Sequence, residues 1–222
     1  MSKIDFKPGN MLYPVPAVMV SCGICGMETN IITIAWAGTV CSDPPMVSIS
    51  VRPERYSYHI IKETGEFVIN LVPEELTAAM DTCGVRSGRD CNKWELCHLT
   101  QAPAAVVKCP VIGEAPVQIE CRVQEEIALG SHSMFLARVE AVHVDERYMD
   151  EKGKLDLEAA RLVSYSHGIY HAPGKRLGTF GFSVRKKKQS GKQTIRKANS
   201  RKSLKKVQKR NSGDGNRRSK EL

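Results

Sequence analysis

Two arginines and a serine lie where the sequence predicts that a helix begins. Arg52, Arg55 and Ser57 belong to "VRPERYS", which follows an apolar segment containing Ser50 and precedes "YHIIKETG". The first turn of a helix offers unpaired N–H groups and the positive end of the helix dipole, which disfavours added cations. A bound phosphate resolves this conflict, because N–H, hydroxyl and guanidinium groups all donate to its oxygens. The pattern indicates a phosphate-binding corner, and the alternative is a solvated first turn.

The eight cysteines introduce a second kind of chemistry, but their spacing favours no metal site. Cys22 and Cys25 have C-x-x-C spacing, yet a structural zinc needs a second such pair, and a thioredoxin-like site needs a helix after the first cysteine. A further set of thiol and imidazole groups within 27 residues matches no ligand pattern: Cys83, Cys91, Cys97, His98 and Cys109. We therefore expect no metal and interpret the cysteines as small buried apolar residues.

Short strands must position these residues, because period-2 apolar segments alternate with Gly, Pro, Asn and Asp. The predicted strands are 15–20, 30–36, 46–51, 66–72, 117–123, 133–144 and 179–184, with a polar connection between the second and third. Three helices are predicted: one after Pro53 that stops at Gly65, one from Pro73 with Gly84 just past its end, and one capped by Asp156 over 156–162. The fold class is mainly β, a barrel or sandwich with a few short helices. No G-x-G-x-x-G motif follows a strand, and there is no phosphate-loop lysine motif.

The charge of the chain is concentrated at its C-terminal end. Residues 185–222 contain 16 Lys and Arg but only Asp214 and Glu221, a net charge of +14, so the other 184 residues carry −5 of the chain's +9. This tail has no aromatic residue and few aliphatic ones, and we predict that it is disordered. Weak nucleic-acid binding by counterion release is one hypothesis for it, and a solvated extension is the alternative.

No segment of the sequence approaches the length of an apolar membrane span, and the N-terminus has no apolar signal region. We therefore expect a cytoplasmic protein with reduced thiols and no membrane span.

Ordered motifs along most of the chain carry a resemblance to a known family. They are "NIITIAW", "CSDPPMVSISV", "RPERYS", "GEFVINL", "SGRDCNKW", "LGSHSMFLARV" and "YSHGIYHAPGKRLGTFGFSV". Together they resemble the flavin reductase-like family of FMN-binding split barrels, and its flavoredoxin-type branch above all. The resemblance covers residues 13–184, so it implies a domain over 1–184 followed by the tail 185–222. It further implies a six-stranded Greek-key split β-barrel, usually a homodimer, with FMN near the subunit interface.

The resemblance also implies which residues hold the cofactor. Along the isoalloxazine ring it places Thr33, Ala35, Trp36 and Ala37, followed by Cys41 and Ser42 towards the ring edge. Around the ribityl phosphate it places Ser50, Val51, Arg52, Arg55, Tyr56 and Ser57, with Lys93 as an additional ligand. The phosphate ligands in this assignment agree with the phosphate-binding corner that the residue types at the helix start indicate. Plain core packing is the alternative for Trp36.

The electron donor stays open between two hypotheses. In related two-component reductases a G-D-H triplet stands near the nicotinamide, whereas this sequence has Gly130, Ser131 and His132. An NAD(P)H-dependent flavin reductase is the first hypothesis. The missing aspartate favours the second, an electron carrier that exchanges electrons between bound FMN and a ferredoxin-type protein. We predict substrate-facing roles for His132 and His167, with strand packing and the dimer interface as the respective alternatives.

Overall fold

An open, antiparallel sheet of seven strands forms the centre of the fold. The computed structural model of the protein describes residues 1–185. The chain divides into two units, Met1–Lys175 and Arg176–Leu222. With strands numbered in chain order, the sheet runs β3 (Thr29–Ile34), β2 (Val18–Gly23), β6 (Glu66–Leu71), β9 (Val117–Ala128), β10 (Ser133–Val144), β5 (Pro45–Val51) and β4 (Ala37–Ser42). Two smaller sheets accompany it: β1 (Val15–Pro16) with β11 (Ser164–Ser166) and β12 (Ile169–His171), and β7 (Gln101–Ala102) with β8 (Val111–Ile112).

The predicted fold class, mainly β with a few short helices, is confirmed, but the sheet has one strand more than the resemblance implied. The additional strand is β4, which the sequence predicted as a polar connection and which pairs antiparallel with β5. Its outer edge has no further strand among residues 1–185, and most of its side chains are exposed. An edge strand that faces water lacks the apolar alternation by which buried strands are recognised. Because β3 and β4 end the hydrogen-bonded order, the sheet is not closed.

Strand β2 lies at the centre of the packing, because both of its faces are covered. Val18 and Val20 pack into the core between the sheet and the first helix, whereas Met19 packs on the other face with Met80 and Trp94. Because β2 is buried on both faces, its apolar run is nearly continuous rather than alternating.

Three short α-helices flank the sheet within the described residues. Helix α1 (Tyr56–Thr64) ends as predicted at Gly65, whose φ of 67° is left-handed and whose N–H donates to Ile61 O. Helix α2 (Thr77–Val85) follows a 3₁₀ turn, Glu74–Leu76, and α3 (Lys93–Leu96) is a single turn capped by the side chain of Asn92. Gly84 was predicted to lie past the second helix but lies inside α2, where an added Cβ would stand 3.2 Å from the Thr33 Cβ. The glycine therefore permits close approach of α2 to β3.

Two further elements were predicted wrongly. Residues 156–162 form turns rather than a helix: the Asp156 carboxylate does accept the N–H groups of Glu158 and Ala159, but Arg161 takes a φ of 45° and the chain then bridges to Pro73. In the second unit, residues 179–184 are not a strand, because Gly181 has a φ of 76° and a 3₁₀ turn, Phe182–Val184, follows it.

No helix within residues 1–185 has the length and apolarity needed to cross a bilayer. The predictions of disorder and nucleic-acid binding for the tail concern a segment of which only Arg185 is described, so they lie outside the described residues.

Candidate functional site

A cavity of about 350 Å³ lies where the start of α1 meets β3 and the segment between α2 and α3. Its walls come from residues far apart in sequence, and we call it the basic corner: Asn30, Ile32, Glu54, Arg55, Tyr56, Ser57, Cys83, Gly84, Arg86, Ser87, Gly88, Arg89 and Lys93. The sheet supplies one wall and the first turn of α1 another. The two glycines leave room for a ligand to approach the backbone.

Cations outnumber carboxylates around the basic corner. Arg55, Arg86, Arg89 and Lys93 line it, whereas Glu54 is its one acidic lining residue within the described chain. Arg89 is held in place, because its Nη1 donates to Glu54 O over 3.3 Å and its guanidinium lies 5.5 Å from the centre of the Tyr56 ring. The corner therefore carries a net positive charge that suits a dianion.

The first turn of α1 offers hydrogen-bond donors to an acceptor such as an anion. Its N-cap residue, Arg55, makes no side-chain capping bond, and its first turn contains no acidic residue. The Ser57 side chain is 1% exposed, and its Oγ accepts a 2.8 Å hydrogen bond from Asn30 Nδ2. That bond holds the hydroxyl at the cavity wall, where the Cys22 thiol is a neighbouring hydrogen-bond partner and a bound anion would compete for the hydroxyl proton. The first-turn N–H groups and this hydroxyl form a set of donors for an anion.

Lys93 brings a buried ammonium to the same place. It is only 4% exposed, and its Nζ donates to Ile31 O over 2.7 Å and to Cys83 O over 2.8 Å. An ammonium has three N–H donors, so one remains for the cavity. Burial lowers the pKa of Lys93 from its ordinary value of 10.5. A bound anion would offset this desolvation cost.

Gly88 brings the segment after α2 into contact with the first turn of α1. A Cβ at Gly88 would lie 2.5 Å from Asn30 Oδ1 and 2.5 Å from Tyr56 Cδ1, closer than any real Cβ contact. The Tyr56 hydroxyl in turn donates to Glu28, which raises the pKa of Tyr56. The absence of a side chain at Gly88 is therefore what allows this wall of the corner to close.

A smaller cavity of about 160 Å³ adjoins the basic corner and shares Ile32 and Arg55 with it. We call it the Trp36 pocket, and its lining is Ile32, Thr33, Ile34, Ala35, Trp36, Ser50, Val51, Arg52, Arg55 and His132. The backbone around Trp36 is fixed, because Ser50 N donates to Trp36 O over 2.8 Å. His132 Nδ1 lies 2.9 Å from Ser131 Oγ, which orients the imidazole. The two cavities are therefore adjacent, with most of the cations on the larger one and Trp36 on the wall of the smaller one.

A family model identifies the fold and the family together. The model of the flavin reductase like domain matches residues 10–171, which is most of the chain. The chain belongs to the flavin reductase-like family. An uncharacterised protein of Archaeoglobus fulgidus is 31% identical over 157 residues, which cover 71% of this chain and 86% of that protein.

Two solved structures and a named relative agree with that assignment. The flavoredoxin of Desulfovibrio vulgaris (Miyazaki F) is similar with a TM-score of 0.77 and 28% identity, covering 83% of this chain and 100% of its own. The flavoredoxin of Methanosarcina acetivorans gives 0.74 and 25%, with coverage of 83% and 100%. A protein named NADH-dependent FMN reductase AsuE2, from Streptomyces nodosus subsp. asukaensis, is 25% identical over 147 residues, 65% of this chain and 76% of that one. The predicted membership, including the likeness to flavoredoxins, is confirmed.

The two cavities bring together most of the residues that the family resemblance had singled out. Those on the walls are Thr33, Ala35, Trp36, Ser50, Val51, Arg52 and His132 in the Trp36 pocket, Tyr56, Ser57 and Lys93 in the basic corner, and Arg55 in both. Ala37 packs against the core, whereas Cys41 and Ser42 lie at the far end of β4, where Cys41 Sγ donates to Asp43 O. His167 lies in the turn between β11 and β12, with its ring 5.9 Å from that of Tyr13. These four residues line neither cavity, and the roles of all the predicted site residues stay predictions.

Sequence reasoning missed part of the basic corner. It named Lys93 from the motif "SGRDCNKW" but not Arg86, Ser87, Gly88 or Arg89, and it did not name Asn30. A usable signal was present, because two arginines flank a Ser-Gly pair in that stretch, and glycine beside cations is typical of loops that approach phosphate. Asn30 gave no such signal, since an asparagine inside an apolar strand does not reveal its partner.

The cysteines divide between core and surface. All eight are free thiols, of which Cys22, Cys83, Cys109 and Cys121 are buried. Burial raises the pKa of Cys22 and of Cys121 to about 12. Within residues 1–185, no three His, Cys, Asp or Glu side chains are arranged to hold a metal ion.

Proposed function

We propose that this flavin reductase-like protein binds FMN, with its phosphate in the basic corner and its ring towards the Trp36 pocket, and that it acts as an NAD(P)H-dependent flavin reductase. The observation that carries the proposal is the adjacency of the two cavities through Arg55 and Ile32. One end offers cations and a helix start, and the other offers an aromatic side chain. FMN has the matching order of a dianionic phosphate, a polar ribityl chain and a flat ring.

The residues present fit that cofactor. The phosphate would be held by the first turn of α1, by Ser57 and by the free donor of Lys93, with Arg55 and Arg89 at the rim. Because Lys93 and Ser57 are almost fully buried, their donors act where water competes little. When bound, a flavin supplies a ring that accepts a hydride or electrons, and the protein supplies its position and surroundings.

The cofactor assignment is tested by comparing FMN with riboflavin, which has the same ring but no phosphate. We expect the protein purified in air to be yellow, or the apoprotein to quench FMN fluorescence on titration. Riboflavin should bind at least about 100-fold more weakly, because it leaves the buried donors of the corner unpaired. Equal affinity for both flavins, or no binding of either, would overturn the assignment.

A flavoredoxin-like electron carrier is the second candidate, and Ser131 is the observation that favours it. It occupies the place of the aspartate in the G-D-H triplet of related reductases, beside His132 in the Trp36 pocket. The likeness to two flavoredoxins supports the same candidate. In that role, bound FMN would exchange electrons with a ferredoxin-type protein.

Steady-state oxidation of NADH and NADPH with free FMN or FAD separates the two candidates. Rapid turnover supports the reductase and argues against a pure carrier. Anaerobic titration of the FMN-loaded protein with NADH, NADPH and reduced ferredoxin then identifies the donor from the bleaching of the flavin. Ser131→Asp restores the triplet and should speed reduction by nicotinamide, with Ser131→Ala as the matched control.

Assembly and location complete the proposal. We expect a homodimer in the cytoplasm, and light scattering of the purified protein measures the dimer directly. Nucleic-acid binding by residues 185–222 is a further hypothesis, supported by the +14 charge of the tail. It requires binding that weakens steeply with salt and disappears on truncation after residue 184.

A further inference from the structure

Two cysteines lie in contact beside the basic corner. Cys83 Sγ and Cys97 Sγ are 3.8 Å apart, and no other pair of thiols in residues 1–185 makes such a contact. Cys83 is in α2 and fully buried, whereas Cys97 follows α3 directly and is partly exposed. The two residues are 14 positions apart in the chain.

The segment that they enclose is the outer wall of the basic corner. Residues 84–96 contain Arg86, Gly88, Arg89 and Lys93, all of which line that cavity. Lys93 is also tied to the cysteine pair, because its Nζ donates to the backbone oxygen of Cys83. A bond between the two sulfurs would therefore close a ring around the residues that hold the anion.

We propose that Cys83 and Cys97 form a reversible disulfide that locks the 84–96 segment in its cavity-lining conformation. The two sulfur atoms are 3.8 Å apart. They must therefore move less than about 2 Å closer to reach the disulfide bond length of about 2.05 Å. The backbone beside Cys97 is held by the bonds of Cys97 N to Lys93 O and of Leu99 N to Trp94 O, so most of this approach falls to rotation of the two cysteine side chains.

Hydrogen peroxide is a two-electron oxidant that can form this disulfide in two steps. The Cys97 sulfur attacks peroxide, the O–O bond breaks, and a sulfenic acid and one water form. The Cys83 sulfur then attacks the sulfenic sulfur, the S–O bond breaks, the S–S bond forms, and a second water leaves. Both thiol protons end in water, and the two electrons reduce the peroxide. A small dithiol reverses the reaction by thiol–disulfide exchange and is itself oxidised to a disulfide.

The environments of the two thiols set this order. Cys97 is partly exposed, whereas burial, with a smaller contribution from Cys97, raises the pKa of Cys83 to about 12. A protonated, buried thiol reacts slowly with a soluble oxidant. Cys83 therefore reacts through its proximity to Cys97 rather than as the first target.

Differential alkylation followed by peptide mapping tests the bond. The full-length protein is treated with peroxide, its free thiols are alkylated, and disulfides are then reduced and labelled with a second reagent. We expect Cys83 and Cys97 to take the second label together, and the intact protein, weighed before alkylation, to have lost two hydrogens on oxidation. Cys97→Ser should abolish the label at Cys83. Cys91→Ser, a change at a partly exposed thiol in the same segment, should leave the label in place.

Hydrogen exchange supplies a readout that does not depend on the cofactor. Backbone amides of 84–96 should exchange several-fold more slowly in the oxidised apoprotein than in the reduced one, and Cys97→Ser should remove the difference. A second label distributed over Cys25 and Cys91, or unchanged exchange in a protein that carries the bond, would overturn the proposal. If the protein fails to bind FMN, these results still decide the disulfide.

Discussion

Asn30 Nδ2 donates a 2.8 Å hydrogen bond to Ser57 Oγ and so joins strand β3 to the first turn of helix α1 across 27 positions of the chain. Both side chains are almost completely buried, so the bond is made away from competing water. The Oδ1 of the same amide lies against Gly88, where an added Cβ would be 2.5 Å away. One asparagine thus sets the position of three walls of the basic corner.

The first prediction concerns Arg55, which lines both cavities and has an exposed side chain. Arg55→Ala removes a cation from the rim without opening the core. We expect FMN affinity to fall about 10- to 100-fold, the loss of one or two charged hydrogen bonds, with little change in melting temperature. Fluorescence titration and thermal unfolding measure the two effects.

Arg138→Ala is the matched control, because Arg138 lies on β10 and lines neither cavity. Its effect on FMN affinity should be small. Unchanged affinity in Arg55→Ala would show that the anchor has been wrongly placed.

The second prediction concerns the buried ammonium of Lys93. Lys93→Met keeps the approximate length of the side chain but removes the donors to Ile31 O and Cys83 O. We expect weaker FMN binding together with a stability loss of about 1–2 kcal/mol, because two buried carbonyls lose their partner.

The pH dependence of FMN binding distinguishes a charge effect at Lys93 from simple disruption. Burial lowers the pKa of Lys93, so its charge is lost at a lower pH than in an ordinary lysine. FMN affinity of the wild-type protein should therefore decrease as the solution becomes alkaline, and Lys93→Met should show a flatter profile. Parallel profiles for the two proteins would argue against a role for this charge.

The third prediction concerns Gly88. Gly88→Ala places a methyl group against the side chains of Asn30 and Tyr56, so the 84–96 segment must move away from α1. We expect a loss of stability of about 1–3 kcal/mol from overpacking and weaker FMN binding. At Gly174 an added Cβ meets nothing within 4 Å, so Gly174→Ala is the control and should be tolerated. Normal FMN binding in Gly88→Ala would mean that this wall does not shape the site.

The fourth prediction concerns Glu120, a fully buried carboxylate on strand β9. Its oxygens accept from the N–H groups of Ala105, Val106 and Val107 and from His143 Nε2 at 2.5 Å. Burial alone would raise the pKa of Glu120, but these donors outweigh it, and the pKa lies below its ordinary value of 4.5. The charged carboxylate therefore fastens the 105–107 loop to β9, and protonation weakens this attachment.

The sign of the pH effect follows from the lowered pKa of Glu120. Its stabilisation is fully present above pH 4.5, the ordinary value, and is lost as the pH falls through the lower pKa of the folded state. Glu120→Gln should lower the free energy of unfolding by about 3 kcal/mol at pH 7 and remove part of the acid-dependent decline. Denaturant unfolding between pH 3 and pH 7, as a rough window for a carboxylate, measures both.

His143→Ala provides the comparison for Glu120→Gln. It removes one of the four hydrogen-bonding groups and leaves the backbone donors in place, so about 1 kcal/mol should be lost. If Glu120→Gln declines with acid just as the wild-type protein does, Glu120 is not the group that titrates.

Several elements of this fold could be predicted from the sequence of the element itself. The strands β2, β3, β5, β6, β9 and β10 follow from alternating or continuous apolar runs, and α1 follows from its capping glycine. The segments that were predicted wrongly have no such signal in their own sequence. Asp156 began a turn as expected, but Arg161 and the bridge to Pro73 ended it before a helix formed. β4 escaped prediction because exposed edge strands are specified by their partner rather than by their own pattern.

The sequence by itself determined the family, the mainly β architecture and the accumulation of cations near the start of α1, because each is encoded in the order and type of neighbouring residues. Only the tertiary structure decided that Arg86, Gly88 and Arg89 join Arg55 around one cavity, and that Cys83 touches Cys97. These contacts depend on how α2 and α3 pack on β3, and packing is decided jointly by side chains that are distant in the chain. Local sequence patterns can therefore indicate an anion-binding corner but cannot identify all the residues that line it.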